Sequence, residues 1–275
     1  MSHQFLVIPS HVHIYQGVNT TQFDGVEIAD YLRVILAKAE IDMRPEFFNF
    51  CLSTYSDEER DNKLNELAIK MAALKVRNPA QKDAQFEPMW GEIEYERRNL
   101  SKSVDDRTVG IVYEGFNLQR LYLELIKEEE KDLAHLHLII TNQLFATWDY
   151  PNCRYHARVG IFGFPSILST SGLVEAPAKP RDFYLKKQLG ENVHRLKEEY
   201  KGSFIDYDDP RMNDVLKGYV LQALFYHLTG YPFCDDKNCR LFNAHRQSEM
   251  IHAQLLSQHE LCSHHQTMLD QLKEV

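Results

Sequence analysis

The chain has 275 residues, of which 44% are hydrophobic and 26% charged, so it can bury a full core, and we expect a single domain over residues 1–275. A net charge of −9 without a basic stripe disfavours nucleic-acid binding, and the absence of a long apolar run disfavours membrane insertion or export. We therefore expect a cytoplasmic protein whose five cysteines suit metal ligation better than disulfides. The sequence leaves the oligomeric state open.

The N-terminal part of the chain predicts a strand, two helices and an irregular segment. Phe5 to Ile8 is a short apolar run typical of a buried strand, and residues 26–38 carry apolar side chains at helical spacing. A capping box that begins at Ser56 predicts a helix over 56–76. Residues 77–107 mix prolines, charges and isolated aromatics, so we expect an irregular surface insertion there.

The rest of the chain alternates between strand and helix patterns. Apolar runs predict strands at 109–113, 135–141, 155–162 and from Phe164 to near Val174. Apolar stripes predict helices at 117–131, 183–200 and 211–228. This order indicates an α/β (α+β) fold, in which helices cover a mixed twisted sheet and a helical, metal-bound segment follows.

The C-terminal region carries a pattern of metal ligands. Cys234-x4-Cys239 is followed by Cys262-x2-His265, and three thiolates with one imidazole suit a four-coordinate Zn²⁺ ion. Two local turns can supply all four ligands. We expect residues 234–265 to form a structural zinc site that stabilises the fold and takes no part in chemistry.

The helix before this cluster resembles the active-site helix of the archaemetzincins, a branch of the metzincin zinc peptidases. The spacing of their pattern H-E-x-x-H-x-x-G-x-x-H-C, then x4-C and later C-x2-C, fits this chain without a gap, with His265 in place of the last Cys. His227 corresponds to the second His, Gly230 to the Gly, and Cys234 and Cys239 to the first two Cys. The resemblance extends from about Thr108 to the C-terminus, and it implies a metzincin-like fold related to archaeal metallopeptidases.

The catalytic positions of that pattern are occupied by other residues. The first His corresponds to Ala223, the general-base Glu to Leu224 and the third His to Phe233, while Leu241 lies in place of the methionine turn. A catalytic zinc needs about three protein ligands and a base beside its water. We therefore expect standard metzincin catalysis to be lost, and one hypothesis is a zinc-stabilised scaffold that keeps the old cleft to bind a peptide or protein.

A second hypothesis keeps hydrolysis through a rebuilt metal site. A predicted helix over 243–255 would present His245, Glu249 and His252 on one face, and His227 could join them around a second divalent metal. The alternative is that these side chains form only the solvated face of that helix.

Two pairs of histidines have the spacing of a strand face. His11 and His13, like His135 and His137, are two residues apart, so each pair points to one side of a strand and could chelate a metal. Ordinary hydrogen bonds are the alternative for both pairs.

Polar and nucleophilic side chains elsewhere are less specific. His156 and Arg158 could form a recognition pocket or the wet face of a strand. Cys51 and Cys153 could act as nucleophiles, but no local pattern distinguishes them from small buried hydrophobes.

Overall fold

The computed structural model describes residues 6–18, 23–82, 86–104, 107, 110–207 and 209–274, and these form a mixed α/β structure with two sheets, as the sequence predicts. The strands are β1 (His11–Gly17), β2 (Glu40–Arg44), β3 (Val112–Glu114), β4 (His135–Thr141), β5 (Leu144–Asp149), β6 (Arg154–Arg158), β7 (Gly160–Ile161) and β8 (Ser166–Ser169). The helices are α1 (Gly25–Ile35), α2 (Phe47–Leu52), α3 (Asp57–Ala73), α4 (Trp90–Ser101), α5 (Gly115–Leu125), α6 (Thr170–Glu175), α7 (Arg181–Gln188), α8 (Val193–Glu199), α9 (Met212–Thr229), α10 (Gln247–Ile251) and α11 (Ser263–Glu274).

The larger sheet has the strand order β2-β1-β4-β8-β7. Neighbouring strands are parallel except for β7, which lies at the sheet edge and runs antiparallel to β8. The smaller sheet has the order β3-β5-β6, with β5 and β6 antiparallel. No helix among the described residues is long and apolar enough to cross a bilayer.

Side chains alternate between the two faces of the larger sheet and so separate two cores. Val12 and Ile14 of β1 contribute to the core beneath α1 and α9, whereas Tyr15 and Ile139 contribute to the core beneath α2, α3 and α5. Both faces are covered by helices, which explains why the runs of β1 and β4 are almost entirely buried.

Helix α9 is buried on nearly all sides and ends where the sequence predicts. Gly230 follows it in the left-handed conformation with φ of 76°, and its N–H donates to the carbonyl of Tyr226. The chain can therefore turn sharply after the helix and enter the cysteine segment.

The first strand begins later than the apolar run from Phe5 to Ile8 predicts. Phe5 lies outside the described residues, and residues 6–10 are not in a strand, although the N–H of Val7 donates to the carbonyl of Leu228. The strand is β1, whose polar His11 and His13 interrupt the apolar pattern. Val109 also lies outside the described residues, and the strand predicted around it is the short β3.

The segment 77–107 is not irregular throughout, because its residues Trp90–Ser101 form α4. Glu96 of this helix is fully buried, 2.7 Å from Lys75 Nζ, and accepts a hydrogen bond from the hydroxyl of Tyr113. Leu100 is also buried in the core with α3. The sequence did not predict this helix because its buried face lacks a continuous apolar stripe. That face carries the carboxylate of Glu96, which has buried partners.

Three further boundaries differ from the sequence prediction. Helix α5 ends at Leu125, and the single helix expected at 183–200 is divided into α7 and α8 by Gly190, which has φ of 86°. The last strand stops at Ser169, whose hydroxyl accepts from the N–H of Gly172 and begins α6.

The helix predicted over 243–255 begins later. Only Gln247–Ile251 is α-helical, and a π-helical turn at His252–Leu256 follows. His245 precedes the helix, so the helical spacing that placed it beside Glu249 and His252 was wrong.

Candidate metal centre and cleft

Residues far apart in the chain converge beyond the C-terminal end of α9. Cys234 follows the turn at Gly230, and its N–H donates to the carbonyl of Leu241. Cys239 closes a tight turn, with its N–H donating to the carbonyl of Asp236. Cys262 directly precedes α11, which carries His265 in its first turn. These four residues form the Cys3His cluster.

The distances within the Cys3His cluster fit one metal ion. Cys234 Sγ lies 3.8 Å from Cys262 Sγ, and His265 Nδ1 lies 3.8 Å from Cys239 Sγ and 3.0 Å from Cys262 Sγ. A tetrahedral ion with bonds of about 2.3 Å to sulfur would hold two sulfurs about 3.8 Å apart. The cluster predicted from the spacing is therefore assembled and could hold a metal.

The surroundings of the Cys3His cluster favour a structural ion. Burial raises the pKa of the Cys239 thiol to about 12 and raises that of Cys234, so a bound cation must displace their protons. The same burial lowers the pKa of His265, which keeps its imidazole neutral and able to ligate. Four protein ligands leave no open coordination position for a substrate or water.

The residues that the sequence resemblance places at catalytic positions have apolar or backbone partners in the described structure. Ala223 and Leu224 are fully buried in the core, and so is Leu241. His227 Nε2–H donates to the carbonyl of Leu133 at 3.0 Å, and burial lowers the pKa of this imidazole. Phe233 packs edge-on against Phe162 at 5.7 Å.

The side chains of His227, Glu249 and His252, considered for a rebuilt site with His245, form hydrogen bonds in different places. His227 contacts Leu133, whereas Glu249 accepts from the backbone N–H groups of His245 and Arg246 and so caps α10. His252 Nε2 lies 2.9 Å from Asn238 Oδ1. Over the described part of the chain, these four residues do not come together as a metal-binding group.

A cleft of about 580 Å³ lies between the β6–β7 segment and α9, and we call it the α9 cleft. Phe233 and Gln222 line its α9 side, and His245 lines its end. His156 and Arg158 line the opposite wall, so the polar pocket considered from the sequence is part of a larger cleft.

Gln222 is the buried polar residue of the α9 cleft. Its side chain is 1% exposed, and its Nε2 donates to the carbonyls of Arg240 and Phe242, each at 3.3 Å. Its Oε1 has no hydrogen-bond partner within the described chain. An unsatisfied buried acceptor costs about 1–3 kcal/mol, so a movement of this side chain that brings the oxygen to a ligand N–H would be favourable.

The two histidine pairs meet on adjacent strands. β1 and β4 are parallel and in a register that sets His11 opposite His135 and His13 opposite His137. The rings of His11 and His135 stack with centroids 4.6 Å apart, and those of His13 and His137 lie 4.7 Å apart with an interplanar angle of 35°. We call these four residues the imidazole column.

A carboxylate joins the buried end of the imidazole column. Glu130 lies in the 3-10 turn at Glu128–Glu130, and one ligand atom from each of His13, Glu130 and His137 lies within 4.8 Å of the others. Hydrogen bonds from Arg44 lower the pKa of Glu130 to about 2, and burial lowers that of His137 to about 4.

The sequence profile of a family described as "Probable metallopeptidase family (DUF6775)" matches residues 8–272, from just before β1 into α11. The chain belongs to this family. No curated protein and no solved structure matches it.

Membership of the DUF6775 family is consistent with a bound metal, and the Cys3His cluster can hold one.

Sequence reasoning missed three features of this family member. Gln222 lies within the apolar helix predicted at 211–228, where its polar side chain gives no separate signal. Glu130 lies within the helix predicted at 117–131, whereas the structure places it in a turn after α5. The two histidine pairs were considered separately, although their identical spacing in two predicted strands was a signal that they could face one another.

Proposed function

We propose that this protein is an archaemetzincin-like member of the metallopeptidase family that has lost hydrolysis at α9 and binds an extended peptide in the α9 cleft. In this proposal Zn²⁺ occupies the Cys3His cluster as a structural ion. The protein acts in the cytoplasm, where its thiolate ligands stay reduced.

The loss of hydrolysis is supported by the lining of the α9 cleft. Phe233 occupies the position of the third ligand, and its ring packs on Phe162. Ala223 and Leu224 replace a ligand and the general base, and both are buried in the core. Hydrolysis by a metal-bound water needs ligands, an open position and a base, and the side chains at these three positions can supply neither a ligand nor a base.

Peptide binding is supported by the edge strand beside the cleft. β7 pairs with β8 at the end of the larger sheet, and its Gly160 lines the α9 cleft. An extended peptide can add to an exposed sheet edge through main-chain hydrogen bonds. The observation that carries the proposal is this edge strand beside the cleft, and the unpartnered Gln222 Oε1 can accept a peptide N–H once the Gln222 side chain turns into the cleft.

The Cys3His cluster is coupled to the cleft through the chain. Phe233 directly precedes Cys234, and the residues from Asn243 to His245 that line the cleft lie between Cys239 and Cys262. An ion that fixes these cysteines therefore fixes part of the cleft wall.

The proposal is tested by selecting phage-displayed random linear peptides on the full-length, zinc-loaded protein. We expect Gln222→Leu to weaken binding of an enriched peptide about tenfold, since it removes one buried hydrogen-bond acceptor. Gln188→Leu, a change on exposed α7, is the matched control and should bind as the unaltered protein does.

Circular dichroism should show that both variants remain folded, and mass spectrometry should show that the bound peptide stays intact. Failure to enrich any peptide, or equal affinity of the Gln222→Leu variant, would contradict peptide binding in the cleft. Cleavage of the bound peptide would contradict the loss of hydrolysis.

A further inference from the structure

The imidazole column lies at the N-terminal ends of β1 and β4, and none of its residues lines the α9 cleft. It passes from the surface to the interior. The side chain of His11 is 41% exposed, that of His135 15% and that of His13 5%, while His137 is fully buried. A cation could therefore reach the buried end along a series of imidazoles.

We propose that His13, His137 and Glu130 bind a second divalent transition-metal ion, of the Zn²⁺ class, at the buried end of the imidazole column. Two imidazoles and a carboxylate form a donor set that suits Zn²⁺ and related first-row ions. Their ligand atoms already lie within 4.8 Å of one another, so small side-chain movements would complete the site.

The hydrogen bonds of the two imidazoles direct one nitrogen of each towards this site. His13 Nδ1 lies 3.3 Å from Asp42 Oδ2, and His137 Nδ1 lies 3.2 Å from the hydroxyl of Tyr15. Metal-ligating histidines generally engage their other ring nitrogen in this way, which fixes the tautomer and the ring orientation. Nε2 is then the ligating atom of His13, whereas ligation through Nε2 of His137 requires its proton to move to Nδ1, because Nε2–H donates to the carbonyl of Glu130.

The partners of the two Nε2 atoms can be exchanged for an ion. His137 Nε2 lies 3.0 Å from the carbonyl of Glu130, and His13 Nε2 lies 2.9 Å from His135 Nδ1. When an ion binds, the Nε2 proton of His137 moves to Nδ1, where the hydroxyl oxygen of Tyr15 can accept it, and His13 Nε2 gives up its contact with His135. His135 can then carry its proton on Nε2, which faces Asp132 at 4.0 Å.

The carboxylate of Glu130 is fixed and can still bind a cation. Arg44 donates to both of its oxygens, at 2.7 and 2.8 Å, and also donates to the hydroxyl of Tyr15. Each carboxylate oxygen has a second lone pair, so the paired group can also ligate.

The charge around the imidazole column favours a cation. Four carboxylates contact the column or its partners: Glu40, Asp42, Glu130 and Asp132. The guanidinium of Arg44 pairs with two of them, Asp42 and Glu130. The carboxylates outnumber this cationic group, and they offset the charge of a bound divalent ion.

The test measures the metal content of the full-length protein after incubation with excess Zn²⁺ and gel filtration under reducing conditions. We expect two ions per chain, one in the Cys3His cluster and one at the column. His13→Gln and His137→Gln should each retain one ion. His11→Gln is the matched control and should retain two, because His11 stacks at the exposed end and is not a ligand.

Titration with Co²⁺ distinguishes the two sites, since thiolate ligation gives an intense near-ultraviolet charge-transfer band and a histidine–carboxylate site does not. Asp42→Asn, a change at a partly exposed residue, should weaken the second site about 10- to 100-fold while the protein stays folded. This variant keeps the proposal testable if His137→Gln does not fold.

A saturated unaltered protein with a single ion per chain would overturn the proposal. Retention of two ions by the folded His13→Gln variant would also overturn it, because the second ion would then lie elsewhere. Unchanged affinity in the Asp42→Asn variant would contradict the role of Asp42 in orienting His13.

Discussion

At the scale of single residues, local chemistry distinguishes the cysteines that can bind metal from those that cannot. Cys234, Cys239 and Cys262 have their sulfurs close to one another or to His265. Cys153 is exposed and lies in a turn with φ of 48°. Burial raises the pKa of the Cys51 thiol to about 12, which makes it a poor nucleophile. Neither isolated cysteine supports the thiol chemistry considered from the sequence.

We expect Cys239→Ser to lose the ion of the Cys3His cluster and to destabilise the C-terminal segment, because a serine hydroxyl is a poor zinc ligand and Cys239 is fully buried. Metal analysis and thermal unfolding measure both effects. Cys153→Ser is the control and should keep the ion and the melting temperature. Full zinc content and unchanged stability in Cys239→Ser would show that this cluster is not the structural site.

At the scale of elements, α4 shows why charge pattern alone misjudges a segment. Its buried face carries Glu96, a residue type that normally marks a solvated surface. Lys75 and Tyr113 satisfy this carboxylate, so the helix can pack against the core beside α3. A segment that the sequence presents as an insertion is therefore an integral part of the fold.

We expect Glu96→Ala to reduce the free energy of unfolding by about 3 kcal/mol, since it leaves the amine of Lys75 buried without its carboxylate. Urea unfolding monitored by circular dichroism measures this loss. Glu94→Ala breaks the exposed ion pair with Arg98 on the same helix, and it should change stability by less than about 1 kcal/mol. Equal effects of the two variants would mean that α4 is not packed into the core.

At the scale of the whole molecule, the metal centre connects three regions of the chain. The Cys3His cluster joins the turn after α9 to α11, and Phe225 of α9 packs edge-on against His265 at 5.2 Å. The segment between the two ligand pairs carries His245 to the α9 cleft. Loss of the ion should therefore affect both stability and the cleft.

We expect removal of the ion with a strong zinc chelator under reducing conditions to lower the melting temperature and to expose residues 231–262 to proteolysis. The reason is that metal binding contributes directly to the free energy of folding. Differential scanning calorimetry and mass spectrometry of limited digests measure the two effects, and added Zn²⁺ should reverse them. Identical digests before and after chelation would show that the ion does not stabilise this segment.

The sequence by itself determined the features that depend on neighbouring residues. The spacing of Cys234, Cys239, Cys262 and His265 predicted the cluster, and the apolar periodicity with Gly230 predicted α9 and its end. Short-range geometry decides both the cluster and the end of α9. Each ligand pair lies within one local turn, and a glycine that adopts positive φ ends a helix whatever the rest of the chain does.

Only the tertiary structure decided the features that join distant segments. His13 and His135 are 122 positions apart, and the parallel register of β1 and β4 brings them together. The α9 cleft likewise depends on β7 lying at the sheet edge opposite Gln222. The physical reason is that strand order and register are fixed by burial of both sheet faces, which no local pattern in the sequence contains.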